Sequence, residues 1–117
     1  MDIKKVDDIN IIYPPHTQEL DNSEKLKSTI QQLLKAEPEM HIIINFINVE
    51  YINSSILSVI IEEMENIKNK ENKIILSNVN KKILGLIKIV TLDDILEIYD
   101  VEEDAILSLK KPVATES

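Results

Sequence analysis

Residues 40–64, MHIIINFINVEYINSSILSVIIEEM, decide the fold of this chain. The run from Met40 to Val49 is almost continuously apolar, which is typical of a central strand covered on both faces of a sheet. After the two serines, apolar residues recur at helical spacing and form one stripe: Leu57, Ile60, Ile61, Met64 and Ile67. The acids Glu62, Glu63 and Glu65 lie off that stripe, so the segment predicts an amphipathic helix.

The same alternation of strand and helix patterns continues along the chain. The patterns predict further strands at 3–6, 10–13, 73–79 and 95–100, and helices at 21–36, 81–90 and 101–109. Asp21, Asn22 or Ser23 could each cap the first helix. We therefore predict an α/β fold with a mixed β-sheet of about four to five strands and about four helices packed on it. The domain is expected at 1–110 and a disordered tail at 111–117.

Composition excludes several kinds of site. The chain has no cysteine and two histidines, so neither a thiolate nor a zinc site is expected. The single glycine, Gly85, rules out glycine-rich phosphate loops, and adjacent acids are usually solvated, so we expect no cofactor and no enzyme activity. The net charge of −8, with lysine as the only base, disfavours nucleic acid. No run is long enough to span a membrane, and the start is not a signal peptide, so a cytoplasmic location is expected.

The serine pair lies where a buried strand ends and a helix begins. This edge of an α/β sheet is where functional loops lie. Asn53 and Ser54 are both good N-cap residues, and capping alone would explain one of them. Ser55 offers a hydroxyl at the positive end of the helix dipole, where a phosphate would be held without unfolding the domain. The spacing of these residues does not decide whether the serine pair only caps the helix or is also modified.

Over nearly the whole chain the sequence resembles the STAS domain of bacterial anti-sigma factor antagonists, and the order of motifs from residue 42 onward carries the resemblance. In that family an apolar strand leads into Asp-Ser-Ser-Gly and a helix, and the nearest later matches here are ILSNV, VTLDDILEIYD and EED. The resemblance implies partner switching. It implies that the unmodified domain binds a serine-kinase anti-sigma factor and thereby frees a sigma factor for transcription. It further implies that the kinase phosphorylates the second serine, Ser55, and that a metal-dependent serine/threonine phosphatase reverses the change.

The resemblance also implies a partner-binding face around the motif. Glu19, expected in the loop before the first helix, matches an acidic position of the family, and the face is completed by Asn53, Ser54, Ser55, Ile56, Ser58 and Val59. Two positions depart from the family pattern: Asn53 replaces Asp, and Ile56 replaces Gly. We expect the Ile56 side chain to project beside the Ser55 hydroxyl, with Val59 on the same exposed side. Ser58 is the alternative acceptor.

A second interpretation is a STAS scaffold or docking subunit of a signalling complex that is not phosphorylated. The sequence names neither the kinase, the phosphatase nor the sigma factor. A monomer is expected for the free chain.

Overall fold

Seven strands and four helices make up the part of the chain that the computed structural model describes. That part covers residues 1–67, 71–90 and 95–110, without the side chains of 17–20. The elements in chain order are β1 (Asp2–Val6), β2 (Ile9–Tyr13), β3 (Thr17–Leu20), α1 (Ser23–Ala36), β4 (His41–Asn45), β5 (Val49–Ile52), α2 (Ser54–Glu65), β6 (Ile74–Ser77), α3 (Lys81–Val90), β7 (Ile98–Tyr99) and α4 (Glu102–Leu109). The predicted tail at 111–117 lies outside the described residues.

Five of the strands form a mixed sheet in the order β1-β2-β4-β6-β7. β1 runs antiparallel to β2 through a turn in which Asp7 has a φ of 53°. The other neighbours pair in parallel. This confirms the predicted α/β fold with a mixed sheet and four helices. β3 and β5, which the sequence patterns did not predict as separate strands, form a second, two-stranded parallel sheet.

The side chains of β4 alternate between two cores, which explains its continuous apolar run. Ile42 and Ile44 belong to the larger core, which also contains buried side chains of α1, α2 and α3. Ile43 belongs to the smaller core, which α4 covers with Ala105 and Leu109. Burial of both faces leaves no polar position in the middle of the strand.

The predicted strand at 40–49 is wrong in its second half, because the chain turns after Asn45. The Oδ1 atom of Asn45 accepts a hydrogen bond from the N–H of Ile47 at 2.8 Å. The N–H of Val49 then donates to the carbonyl oxygen of Phe46 at 2.9 Å and closes the turn. Asparagine side chains commonly bond the backbone two residues on in this way. The predicted last strand, 95–100, is similarly reduced to Ile98–Tyr99.

The buried face of α2 is wider than the predicted stripe and is centred on a different side. Leu57 and Ile60 are fully buried as expected, whereas Ile61 and Met64 are only partly buried. Glu63, predicted to lie off the stripe, is 2% exposed, and it accepts a hydrogen bond from Gln31 of α1 at 3.1 Å. The prediction for Glu63 is wrong because α2 packs against α1 as well as against the sheet.

Candidate functional site

The candidate site is the first turn of α2, which begins directly after β5. Asn53 has an extended backbone and is the N-cap, and its Oδ1 atom accepts a hydrogen bond from the N–H of Ile56 at 3.2 Å. Of the two predicted caps, Asn53 performs this role. Ser54 and Ser55 are therefore the first two residues of the helix, where backbone N–H groups point outward and the dipole is positive.

Three serine side chains face solvent at this end of the helix: Ser54, Ser55 and Ser58. Because Asn53 already caps the helix, the hydroxyl of Ser55 is not required for that purpose. A phosphate on it would meet N–H groups at a helix N-terminus, which is a favourable position for an anion. The arrangement is chemically suited to a modification that leaves the fold intact.

The expectation for Ile56 and Val59 is wrong. Ile56 is 0% exposed and Val59 is 9% exposed, and both belong to the larger core. α2 packs against α1 as well as against the sheet, so Ile56, Val59 and Glu63 all lie on buried sides of the helix. Isoleucine, at the position where the resemblance led us to expect glycine, is thus a core residue, and its side chain does not cover the surface beside Ser55.

Two exposed apolar side chains on the segment that leads to the serines were missed in the sequence. Ile47, in the turn before β5, is 62% exposed, and Tyr51, on β5 itself, is 39% exposed. Their neighbours Val49 and Ile52 are buried. The asparagines at 45 and 48 are the turn signal that could have separated Ile47 from the strand. Tyr51, two residues before the N-cap Asn53, is the exposed large apolar side chain nearest to the serines in sequence.

Glu19 lies in β3 and not in a loop, because its backbone pairs with that of Tyr51 in the parallel β3–β5 sheet. Its side chain lies outside the described residues. The position of the backbone places Glu19 one strand away from the exposed tyrosine.

Asn80 connects β5 to the start of α3. Its Nδ2 group donates to the carbonyl oxygens of Glu50 at 2.8 Å and Val49 at 3.3 Å. Its Oδ1 atom accepts from the N–H of Ile83 at 2.9 Å, which caps α3. An asparagine just before a helical pattern is an N-cap signal, but its bonds to β5 have no signal in the sequence.

A polar cluster on the other face of the sheet also reaches the turn before β5. Glu102, the first residue of α4, accepts hydrogen bonds from the Tyr13 hydroxyl and from Nδ2 of Asn45, the latter at 2.9 Å. Lys4 lies 3.7 Å from the same carboxylate. Burial, and then the hydrogen bond to Glu102, raise the pKa of the Tyr13 phenol well above its ordinary value. Asn45 thus bonds to α4 through one side-chain atom and to the β4–β5 turn through the other.

Among the described residues, no group of three or more histidine, cysteine, aspartate or glutamate side chains could hold a metal ion. The helices in that part of the chain are also too short or too polar to cross a membrane.

Comparison with known proteins gives one family and many similar structures. A structure of a candidate anti-sigma factor antagonist from Thermotoga maritima has a TM-score of 0.80 and 27% identity, with 94% of each chain covered. A STAS domain protein from Planctomyces limnophilus has a TM-score of 0.80 at 18% identity, covering 93% of this chain and 96% of that one. The phosphorylated Bacillus cell fate determinant SpoIIAA has a TM-score of 0.69 at 20% identity, covering 93% of this chain and 98% of that one.

Comparison with curated proteins found no match. The family model for the STAS domain matches residues 1–105, which include every strand and the start of α4. The chain therefore belongs to the STAS domain family.

Proposed function

We propose that this chain is an anti-sigma factor antagonist-like regulatory protein that binds a serine-kinase anti-sigma factor and is switched by reversible phosphorylation of Ser55. The observation that carries the proposal is the exposed Ser55 side chain in the first turn of a helix that Asn53 already caps. Membership of the STAS family supports it, since the Thermotoga structure with 27% identity is described as a candidate anti-sigma factor antagonist.

Phosphorylation at this position acts through charge. A phosphate adds about −1.5 to −2 charges at neutral pH, and the chain already carries −8. The helix dipole stabilises the phosphate in the folded state, so the change appears at the surface and not in the core. A partner docked over Ser55 then meets a new, bulky negative group, which weakens binding.

The proposed docking face combines apolar and polar side chains. In the proposed face, Tyr51 and Ile47 of the preceding segment provide apolar area in addition to the exposed serines 54, 55 and 58. Asn53 acts by holding the first turn, and Glu19 belongs to the face as an acidic contact one strand from Tyr51. Aromatic side chains at such positions often contribute most of the binding energy.

Besides the kinase, the proposed cycle involves a phosphatase and a sigma factor. A serine/threonine phosphatase removes the phosphate and restores the binding form. Release of a sigma factor from the anti-sigma factor is the proposed output, which makes the chain a regulator of transcription through partner switching.

Phosphate mapping tests the proposal. The chain is incubated with ATP and the kinase purified from the source cells by its activity on this chain, and the phosphorylated residue is found by mass spectrometry. We expect Ser55→Ala to abolish incorporation, while the matched controls Ser54→Ala and Ser58→Ala retain it. Incorporation that persists in Ser55→Ala and disappears in Ser58→Ala would assign the acceptor to Ser58. Binding of the anti-sigma factor without incorporation by the wild type would favour the constant scaffold.

Affinity measurements test the docking face. We expect Ser55→Ala to bind the anti-sigma factor as the wild type does, and Ser55→Asp to bind more weakly. Tyr51→Ser should weaken binding by about 1–2 kcal/mol, as expected for truncation of a buried aromatic contact. Leu107→Ser is the control, because Leu107 is 65% exposed on α4, on the other face of the sheet. Equal losses for Tyr51→Ser and Leu107→Ser would contradict the proposed face.

A further inference from the structure

We infer that Asn80 is a positioning residue for the serine site, because its amide fixes β5 and thereby the entry of the chain into α2. The inference deepens the proposed function and rests on it for the effect on phosphorylation. Its effect on the local structure can be measured independently.

β5 is anchored in the larger core by its buried side chains Val49 and Ile52, and its backbone has few hydrogen-bonding neighbours among the described residues. The strand has four residues, and within the described part of the chain its one strand neighbour is β3. The Nδ2 group of Asn80 bonds to two successive carbonyl oxygens of β5, those of Val49 and Glu50. These bonds join β5 to α3, which packs on the larger core through Ile83 and Ile87.

The serine site follows β5 directly. Asn53 alone separates Ile52, the last residue of the strand, from Ser54. A displacement of β5 therefore moves the cap, the first turn of α2 and the exposed Tyr51 together. The two amide bonds thus control the geometry of a site that Asn80 need not touch.

The two roles of Asn80 can be separated by substitution. Aspartate and serine both provide an oxygen that can accept the Ile83 N–H, and both are good N-caps. Neither provides the amide hydrogens that bond to β5. Asn80→Asp and Asn80→Ser therefore keep the cap of α3 and remove the bonds to β5, whereas Asn80→Ala removes both. The serine variant adds no charge and so controls for the charge that aspartate adds.

Amide hydrogen exchange of the wild type and these variants is the first test. We expect exchange of residues 49–56 to become about two- to tenfold faster in Asn80→Asp and Asn80→Ser, the range that corresponds to the loss of a typical hydrogen bond. Exchange in the first turn of α3 should change only in Asn80→Ala. Gln32→Glu, an exposed change on α1, is the charge control and should leave both regions unchanged. If the amides of residues 49–56 exchange at the wild-type rate in both Asn80→Asp and Asn80→Ser, the inference is overturned and Asn80 acts only as the cap of α3.

Phosphorylation kinetics with the purified kinase is the second test. We expect the KM for Asn80→Ser to rise by about two- to tenfold with kcat little changed, since docking is disturbed and the Ser55 hydroxyl is retained. An unchanged KM together with faster exchange would overturn the claim that the position of β5 matters to the site. If the wild type takes up no phosphate, the proposed function fails, and the exchange experiment still decides whether Asn80 positions β5.

Discussion

Replacing Ile56 by alanine should lower the free energy of unfolding by about 2–4 kcal/mol. Ile56 is 0% exposed and lies in the larger core, so the substitution removes buried methyl groups and leaves a cavity. Such changes typically cost about 2–5 kcal/mol, and the better helix propensity of alanine offsets a few tenths of that. The N-cap bond is unaffected because it uses the backbone N–H of Ile56. The expected loss is a large fraction of a total stability of about 5–15 kcal/mol.

Urea unfolding followed by circular dichroism measures the effect. With a slope of about 1.5 kcal/mol per molar urea, a loss of 3 kcal/mol lowers the midpoint by about 2 M. Ile89→Ala is the matched control, because Ile89 is also in a helix but is 79% exposed. Its free energy of unfolding should change by less than about 0.5 kcal/mol. Equal, small effects of both substitutions would refute the burial of Ile56 and restore it to the surface beside Ser55.

Three further predictions concern the register of α2, an ion pair and the turn before β5. Ile60→Asp should abolish cooperative folding, because an unpaired buried charge costs several kcal/mol. Ile61→Asp, at a partly buried position, should lower the stability of the fold without abolishing it. Thermal unfolding of both variants tests which side of α2 faces the core. The hydrogen bond from Lys73, whose Nζ atom lies 2.9 Å from the carboxylate, lowers the pKa of Glu97. The pair therefore stabilises the protein above the pKa that Glu97 has in the unfolded chain, and this stabilisation is lost as pH falls through the lower pKa of the folded state. Glu97→Gln should therefore destabilise the protein at neutral pH, and urea midpoints should converge with those of the wild type in acid. Asn45→Ala removes one donor and one acceptor and should cost about 1–3 kcal/mol by urea unfolding; a loss below about 0.5 kcal/mol would argue against both bonds.

Local patterns in the sequence predicted most of the sheet and its helices. The caps and the apolar runs are short-range signals, and the structure confirms the strands on either side of the turn at Asp7 and helix α1 from Ser23 to Ala36. A cap candidate can be recognised from residue type, although which of Asp21, Asn22 and Ser23 is used depends on geometry. Asn22 is the one whose side chain accepts from Lys25 N–H, at 3.0 Å.

The features that sequence did not predict depend on contacts between distant segments. Ile56 and Glu63 are buried because α2 packs against α1, and the periodicity of α2 alone could not reveal a second packed side. The bonds from Asn80 to β5 join residues about thirty positions apart, as their separation in sequence shows. The serine motif was visible in the sequence, but the surface around it was predicted with the wrong apolar residues. Of the apolar residues in the segment 47–59, Ile47 and Tyr51 are the exposed ones.

The antiparallel strand β1 bears on whether another chain can pair with the sheet. It forms one edge of the five-stranded sheet, and no strand in the described part of the chain pairs with its outer side. An open edge invites another chain to add a strand, and lysine side chains on an edge are a common protection against such aggregation. Lys4 and Lys5 stand on β1 and form ion pairs with Glu102 and Glu37 on opposite faces of the sheet. Each lysine therefore has a second effect beyond its ion pair, because a strand of another chain that paired with this edge would have to desolvate these charged side chains.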